Sequence, residues 1–375
     1  MSDLLIPIIV MLVLVFGEAG ILHLTGRQKI DWHDVVFNIN SGHIVLWLFR
    51  CTEVLCYGLV FSRFSLHLFD SVSPVWLWLF TLLAWDFGFY WLHRLHHTLR
   101  ALWAVHVVHH QGEHFNLSLG VRNSWYSSLT GIPFFLVLAV LGVPLSVFLV
   151  VSVLHYSVQF FNHNALTPKL GWLEYLFVTP SHHRVHHYKA RRFADSNYGG
   201  TFIFWDKLFG TFCHVTPPVE PGYGVQGERP SSNPLRESNL PFLRMLGVRK
   251  TRAQPPRRFN ASATIVIAGA LLLFGLVLGY IQLYGYDIER VTTQQTALFL
   301  LLAAGSIALG GISDGQRWGV VLWLLVTLGL PLLFIGIWDW RQPYWLGVMA
   351  GLVVHALALL AGQGRRVNEA QREPV

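Results

Sequence analysis

Residues 75–97 read VWLWLFTLLAWDFGFYWLHRLHH. From Val75 to Trp91 the only charge is Asp86, and an apolar run approaching about 20 residues matches a hydrocarbon core of roughly 30 Å. The stretch therefore reads as a membrane helix that leaves the bilayer on histidines. His93 and His97 stand four residues apart, about one turn, so their imidazoles share a face while His96 points elsewhere.

Two further clusters follow. WAVHVVHH brings His106, His109 and His110 at i, i+3 and i+4, and HHRVHH repeats that spacing with His183, His186 and His187. Histidines set three and four apart converge on one helical side, where several can bind one ion. Eight imidazoles exceed the four ligands of a closed tetrahedral site, so the pattern points to two metal ions, each with a position left open. Imidazole suits zinc, copper, nickel and iron alike, and iron is the choice if the site does redox chemistry, which zinc cannot. His163 in QFFNHN is a further candidate ligand. His182 competes with His183 or bonds to a ligand from outside, adjacent helical residues diverging by about 100°. His114 and His155 are weaker candidates, His155 lying inside an apolar span as a channel-lining or core histidine. Neutral imidazoles leave the metal charge uncompensated, so Asp86, Glu113, Asp195 and Asp206 are candidates to hold the outer ring nitrogens. For Asp86 the alternative is a packing partner of Arg94 or a tryptophan.

Composition agrees with the membrane reading. Hydrophobic residues make up 53% of the 375, charged ones 13%, and mean hydropathy is +0.46, which excludes an ordinary soluble domain. Other apolar runs lie at Leu4 to Leu24, Ile44 to Phe61, Gly131 to Phe161 (a hairpin broken near Gly142 and Pro144), Ala261 to Tyr284, Thr296 to Gly311, Trp318 to Ile337 and Trp345 to Ala361. The expectation is an all-α polytopic membrane protein of about nine spans. The first run lacks a basic flank and reads as a retained helix rather than a signal peptide. Lys and Arg gather in 94–122, 169–258 and at Arg365, Arg366 and Arg372, with Arg27 and Lys29 on the same side, which places the histidines on the cytosolic face. Asp3, Asp70 and the loop from Asp287 to Arg290 fall outside. Four segments follow: N-terminal spans in 1–73, a catalytic region in 74–216, a cytosolic linker in 217–260, and a C-terminal helical region in 261–375. The net charge of +7 sits in loops beside the membrane, where it serves orientation and lipid contact rather than nucleic acid. Cys51, Cys56 and Cys213 form no CxxC pair and no disulfide framework.

The clusters, with NLSLGVRNSW (116–125), TPSHHRVHH (179–187), NYGG (197–200) and WDKLFGTF (205–212), resemble the sterol desaturase and fatty acid hydroxylase superfamily of membrane di-iron oxygenases. Within it they look most like alkylglycerol monooxygenases, although Thr98 stands where that subgroup carries an acid and Glu113 fits an acidic position of the pattern. The resemblance implies a di-iron, dioxygen-dependent hydroxylase, with ligands at His93, His97, His106, His109, His110, His183, His186 and His187 and possible additions at His163 and His182. It also implies a membrane-dissolved lipid substrate (ether lipid, fatty acyl lipid or sterol) in a bacterial inner membrane or ER membrane. Electrons come from an external donor, since no dinucleotide fingerprint or heme motif is present; reduced pterin, cytochrome b5 and ferredoxin serve relatives. Trp91, Tyr126, Phe160 and Phe161 are candidates for an apolar tunnel. Arg184, Lys189, Arg191 and Arg192 are candidates for a headgroup or donor contact. The rival readings are a lipid or sterol desaturase on the same site, and a membrane protein that transports or stores metal along a histidine-lined path.

Overall fold

The computed structural model describes residues 2–41, 43–215, 222–228, 230–248, 256–285 and 291–366. The expected Asp287 to Arg290 loop and Arg372 lie outside the described residues, as do the side chains of Asp3 and Arg191.

The N-terminal part comprises α1 (Ser2–Leu24), α2 (Trp32–Asn40), α3 (His43–Phe64), α4 (Pro74–Thr98), α5 (Arg100–His110), α6 (Ser127–Leu141) and α7 (Leu145–Asn162). Short helices follow at α8 (Pro180–His186), α9 (Arg191–Ala194) and α10 (Phe204–Leu208), then α11 (Pro234–Met245). The chain closes with α12 (Ala263–Tyr284), α13 (Thr293–Ser313), α14 (Arg317–Phe334) and α15 (Pro343–Leu360). A two-residue antiparallel pair, β1 (Asn260–Ala261) with β2 (Arg365–Arg366), ties the entry of the last four helices to their exit.

Local chemistry sets the boundaries that matter for the histidines. Pro74 starts α4 at a first-turn position, where its missing N–H costs nothing. Leu99, extended at φ −98° and ψ 122°, separates α4 from α5, so the chain turns and α5 packs back on α4. Gly142, at φ +102°, ends α6 in the left-handed conformation that favours glycine, and a Cβ there would stand 3.0 Å from the His67 backbone. Pro144 then caps α7, giving the expected hairpin break.

Among the described residues, eight helical stretches are long and apolar enough to cross a membrane: Leu5–Leu24, Trp32–Phe64, Pro74–Thr98, Leu145–Asn162, Ala263–Tyr284, Thr293–Ser313, Arg317–Ile337 and Pro343–Leu360. The chain is a multi-pass membrane protein. The expected first arm of the hairpin differs: α6 has 15 residues, about 22 Å of helix, short of the roughly 30 Å core. The 217–260 segment, read as a loop, contains α11, an amphipathic helix. Asn233 caps it by accepting from the Arg236 N–H, Pro234 occupies its first turn, and it packs on α5.

Two large cores hold the helices. Tyr57, Trp85, Phe135 and Phe148 lie among α3, α4, α6 and α7, with Trp85 stacked on Phe135 at 4.4 Å and Tyr57 on Phe148 at 4.2 Å. The second core joins α12–α15 to Val36 of α2 and Ile44 of α3, and a smaller one links α1, α2 and Phe274 of α12.

Candidate metal centre

Among the described residues, nine histidines form two groups. His93, His97, His106, His110 and His186 bring one ring nitrogen each to within 4.8 Å of one another, and His109, His163, His183 and His187 do the same. The groups gather where α4 and α7 end: His93 and His97 occupy the last turns of α4, α5 folds back with His106, His109 and His110, His163 caps α7, and α8 with its C-cap His187 supplies the rest.

The four-histidine group is defined by its inner nitrogens. His163 Nε2 lies 3.2 Å from His109 Nε2, 3.0 Å from His183 Nε2 and 3.1 Å from His187 Nε2, and His183 and His187 are 3.1 Å apart. In the five-histidine group, His110 Nε2 is 3.2 Å from His106 Nε2 and 3.1 Å from His186 Nε2. The Nε2 atoms of His93 and His97 are buried without a hydrogen-bond partner.

The outer nitrogens decide what these contacts mean. His109 Nδ1 faces the Arg122 carbonyl at 2.9 Å, and His163 Nδ1 faces Gln159 O at 2.8 Å. A carbonyl only accepts, so both Nδ1 atoms carry the proton and both Nε2 atoms present lone pairs. At 3.2 Å, two lone pairs repel unless a cation stands between them. Two nitrogens bound to one tetrahedral ion at about 2.0–2.1 Å sit about 3.3 Å apart, so the observed spacings fit ligands around a shared ion. His93 and His186 repeat the pattern, with Nδ1 to Tyr198 O at 2.9 Å and to Ser196 O at 2.7 Å.

Burial also keeps the imidazoles neutral. It holds His106, His110, His163, His183, His186 and His187 well below the usual histidine range and His109 at about 4, with neighbouring histidines adding to the effect. Neutral rings with inward lone pairs could hold a metal ion, and imidazole suits iron, zinc, copper and nickel alike.

The remaining sequence candidates are placed differently. His182 lies outside both groups: its Nδ1 accepts from the Thr179 N–H at 3.3 Å in a capping box at the start of α8, turned from the site by its position beside His183. His155 Nε2 meets Asp86 at 2.6 Å, His114 Nδ1 lies 3.5 Å from Asp34, and His96 Nε2 meets Thr130 Oγ1 at 3.0 Å. Of the four carboxylates, Asp195 touches a grouped histidine, at 3.4 Å from His97 Nδ1. Asp86 instead accepts from His155, from the Thr201 and Phe202 N–H groups and from the Trp205 indole. An acid buried in a span gathers whatever donors the fold brings it, and here α7 and the 201–205 segment bring four. Asp206 accepts from Tyr198 N, Gly199 N and Thr211 Oγ1, and burial pushes its carboxyl up to about 6. Glu113 is exposed and lies against Gly224.

The four tunnel candidates do not share a lining. Trp91 packs on Phe209, Phe160 belongs to the α1–α2–α12 core, Phe161 is exposed, and Tyr126 lines a cavity of about 470 Å³ beneath α11. Arg184 spends its guanidinium on the Pro180 and Thr167 carbonyls, Arg192 lies over Phe193, and the Lys189 N–H donates to Gly222 O. Thr98 is exposed, its hydroxyl bonded to Arg94 O. Sequence reading missed the anchors at Arg122, Gln159, Ser196 and Tyr198, because a backbone carbonyl has no residue signature. Arg122 is a partial exception. A buried guanidinium demands partners, and it binds Val108 O, Asp34 and Asn38 over the Phe37 ring.

Residues 78–211 match the family described as fatty acid hydroxylase. The chain carries a domain of the sterol desaturase and fatty acid hydroxylase superfamily. All nine grouped histidines fall inside this hydroxylase domain, as do Asp86, Asp195 and Asp206. An alkylglycerol monooxygenase of Xenopus tropicalis is 41% identical over 164 residues, 44% of this chain and 36% of that protein. One of Homo sapiens is 40% identical over 245 residues, 64% of this chain and 54% of that protein. An ornithine lipid hydroxylase of Rhizobium tropici is 32% identical over 148 residues, 38% of this chain and 44% of that protein. The chain thus spans about half or less of these relatives' lengths. No solved structure matches it.

Proposed function

We propose that the protein is a membrane-bound hydroxylase that uses dioxygen and two iron ions to oxidise a lipid C–H bond. The observation that carries this reading is the pair of converging Nε2 sets inside the hydroxylase domain. His93, His97, His106, His110 and His186 would hold one ion, and His109, His163, His183 and His187 the other. Bound iron supplies the redox chemistry that activates dioxygen. The chain's own residues aim the ring nitrogens, fix their tautomers through Tyr198, Ser196, Arg122 and Gln159, and bury them away from water.

Hydroxylation consumes one dioxygen, two electrons and two protons, and releases the alcohol and one water, so an external reductant is required. The relatives favour an alkylglycerol as the first substrate to try. Hydroxylation beside its ether oxygen gives a hemiacetal, which collapses to an aldehyde and a glycerol derivative. We assign catalysis to residues 74–216, membrane embedding to 1–73 and 261–375, and the connection to 217–260, with the site on the cytosolic face where the basic residues gather. Confinement of the histidines to helix ends favours catalysis over metal transport, which needs ligands through the depth of the bilayer.

The test is purification in detergent after iron-replete expression, metal analysis, and dioxygen uptake with an alkylglycerol, a fatty acyl lipid and a sterol in turn. Iron content with uptake driven by one lipid is expected, and mass spectrometry of the product separates hydroxylation from desaturation. Zinc alone, with no lipid-dependent uptake, would sink the proposal.

A further inference from the structure

The two histidine groups are steadied by different parts of the chain. In the five-histidine group three outer nitrogens lead to one short irregular segment: His97 to Asp195, His186 to Ser196 O and His93 to Tyr198 O. In the four-histidine group His109 leads to Arg122 O and His163 to Gln159 O.

One peptide unit in that segment is held from both sides. The carbonyl of Tyr198 accepts from His93 at 2.9 Å, and the N–H of the same peptide, on Gly199, donates to Asp206 Oδ2 at 2.8 Å. Asp206 Oδ1 takes the Tyr198 N–H at 2.7 Å and the Thr211 hydroxyl at 2.7 Å. Peptide planarity sets the N–H and C=O on opposite edges, so fixing one with a carboxylate aims the other at His93. The negative charge also polarises the peptide and strengthens the carbonyl as an acceptor. Glycine is required at 199, because a Cβ would stand 2.6 Å from Phe202 O and 2.8 Å from Asp206 Oδ2. Carboxylates that bond a ligand histidine directly fix its tautomer and raise its basicity; here the carboxylate reaches the histidine through a peptide.

We propose that Asp206 is a positioning residue that acts on His93 through the Tyr198–Gly199 peptide and so governs metal affinity of the five-histidine group, leaving the four-histidine group untouched. This rests on the two-ion reading above.

The experiment is zinc(II) titration into metal-stripped full-length protein in detergent, in two single-site backgrounds. His163→Ala/His187→Ala leaves the five-histidine group to bind, and His106→Ala/His110→Ala/His186→Ala leaves the four-histidine group. Asp206→Asn is expected to weaken zinc about 10–100-fold in the first background, the range seen for outer-shell partners, and to change nothing in the second. Should Asp206→Asn fail to fold, judged by circular dichroism, Thr211→Val, which removes one donor from the carboxylate, is expected to show the same selectivity at smaller size. Equal weakening in both backgrounds, or none in either, would overturn the inference. A wild type that binds a single zinc would instead overturn the two-ion reading itself.

Discussion

His163 Nε2 stands 3.0 Å from His183 Nε2, although His163 belongs to none of the three histidine clusters of the sequence. It reaches the site because α7 ends one residue earlier and its Nδ1–H is spent on Gln159 O. His163→Ala should therefore lower the metal content of the purified protein by one ion per chain and end lipid oxidation. His182→Ala should keep the full metal content and lose the bonds to Thr179 and the ring contact with Phe212, about 1 kcal/mol of stability. Elemental analysis of the two variants side by side checks both.

Asp86 is fully buried with four donors converging on it. Asp86→Ala leaves those donors unpaired and should cost at least about 3 kcal/mol. The readout is a lowered melting temperature in detergent, with the metal-loaded and metal-stripped forms both affected.

Gly200 has no room for a side chain: a Cβ would lie 2.2 Å from the His155 ring, which Asp86 pins, and 2.7 Å from Gln159 Nε2. Gly200→Ala should destabilise by about 1–3 kcal/mol through overpacking. A melting temperature equal to that of wild type would show that α7 can yield here.

In the metal-stripped protein the buried histidines set a pH dependence. Their folded-state values lie below the unfolded value of about 6.5, with His109 at about 4. Between those limits the unfolded chain binds protons that the folded one refuses, so stability is full above about pH 6.5 and falls as pH drops toward 4. Asp206, raised to about 6, and Glu237, raised to about 7, act in the opposite sense, their contribution being lost as pH rises through those values. Eight depressed histidines outside the spans, His182 among them, outnumber them. Melting temperature should fall from pH 7 to pH 5; a rise would contradict the burial of neutral imidazoles.

Much of this was readable from residue order because the bilayer and the metal each impose a period. Apolar runs located α1, α3, α4, α7 and α12–α15, and three- and four-residue spacings put the histidines of each cluster on shared faces. What escaped depends on neighbours distant in sequence. α11 is masked by Pro241 and a polar composition, yet it forms because α5 offers its apolar side a partner. The division of the nine grouped histidines into five and four depends on how α4, α5, α7 and α8 pack together, which residue spacing does not specify. It splits His109 from His106 and His110, and His186 from His183 and His187. Asp86 stands out in the sequence as the one charge of its apolar run, but its partners come from His155 and residues 201–205.

Metal-dependent oxidation of a lipid is read out by mass spectrometry of lipid extracts from cells expressing wild type or His109→Ala at matched membrane levels. A lipid product, one oxygen heavier or cleaved at its ether, should accumulate with wild type and be missing from the variant. Indistinguishable lipid profiles for the two, or the same product in both, would contradict it.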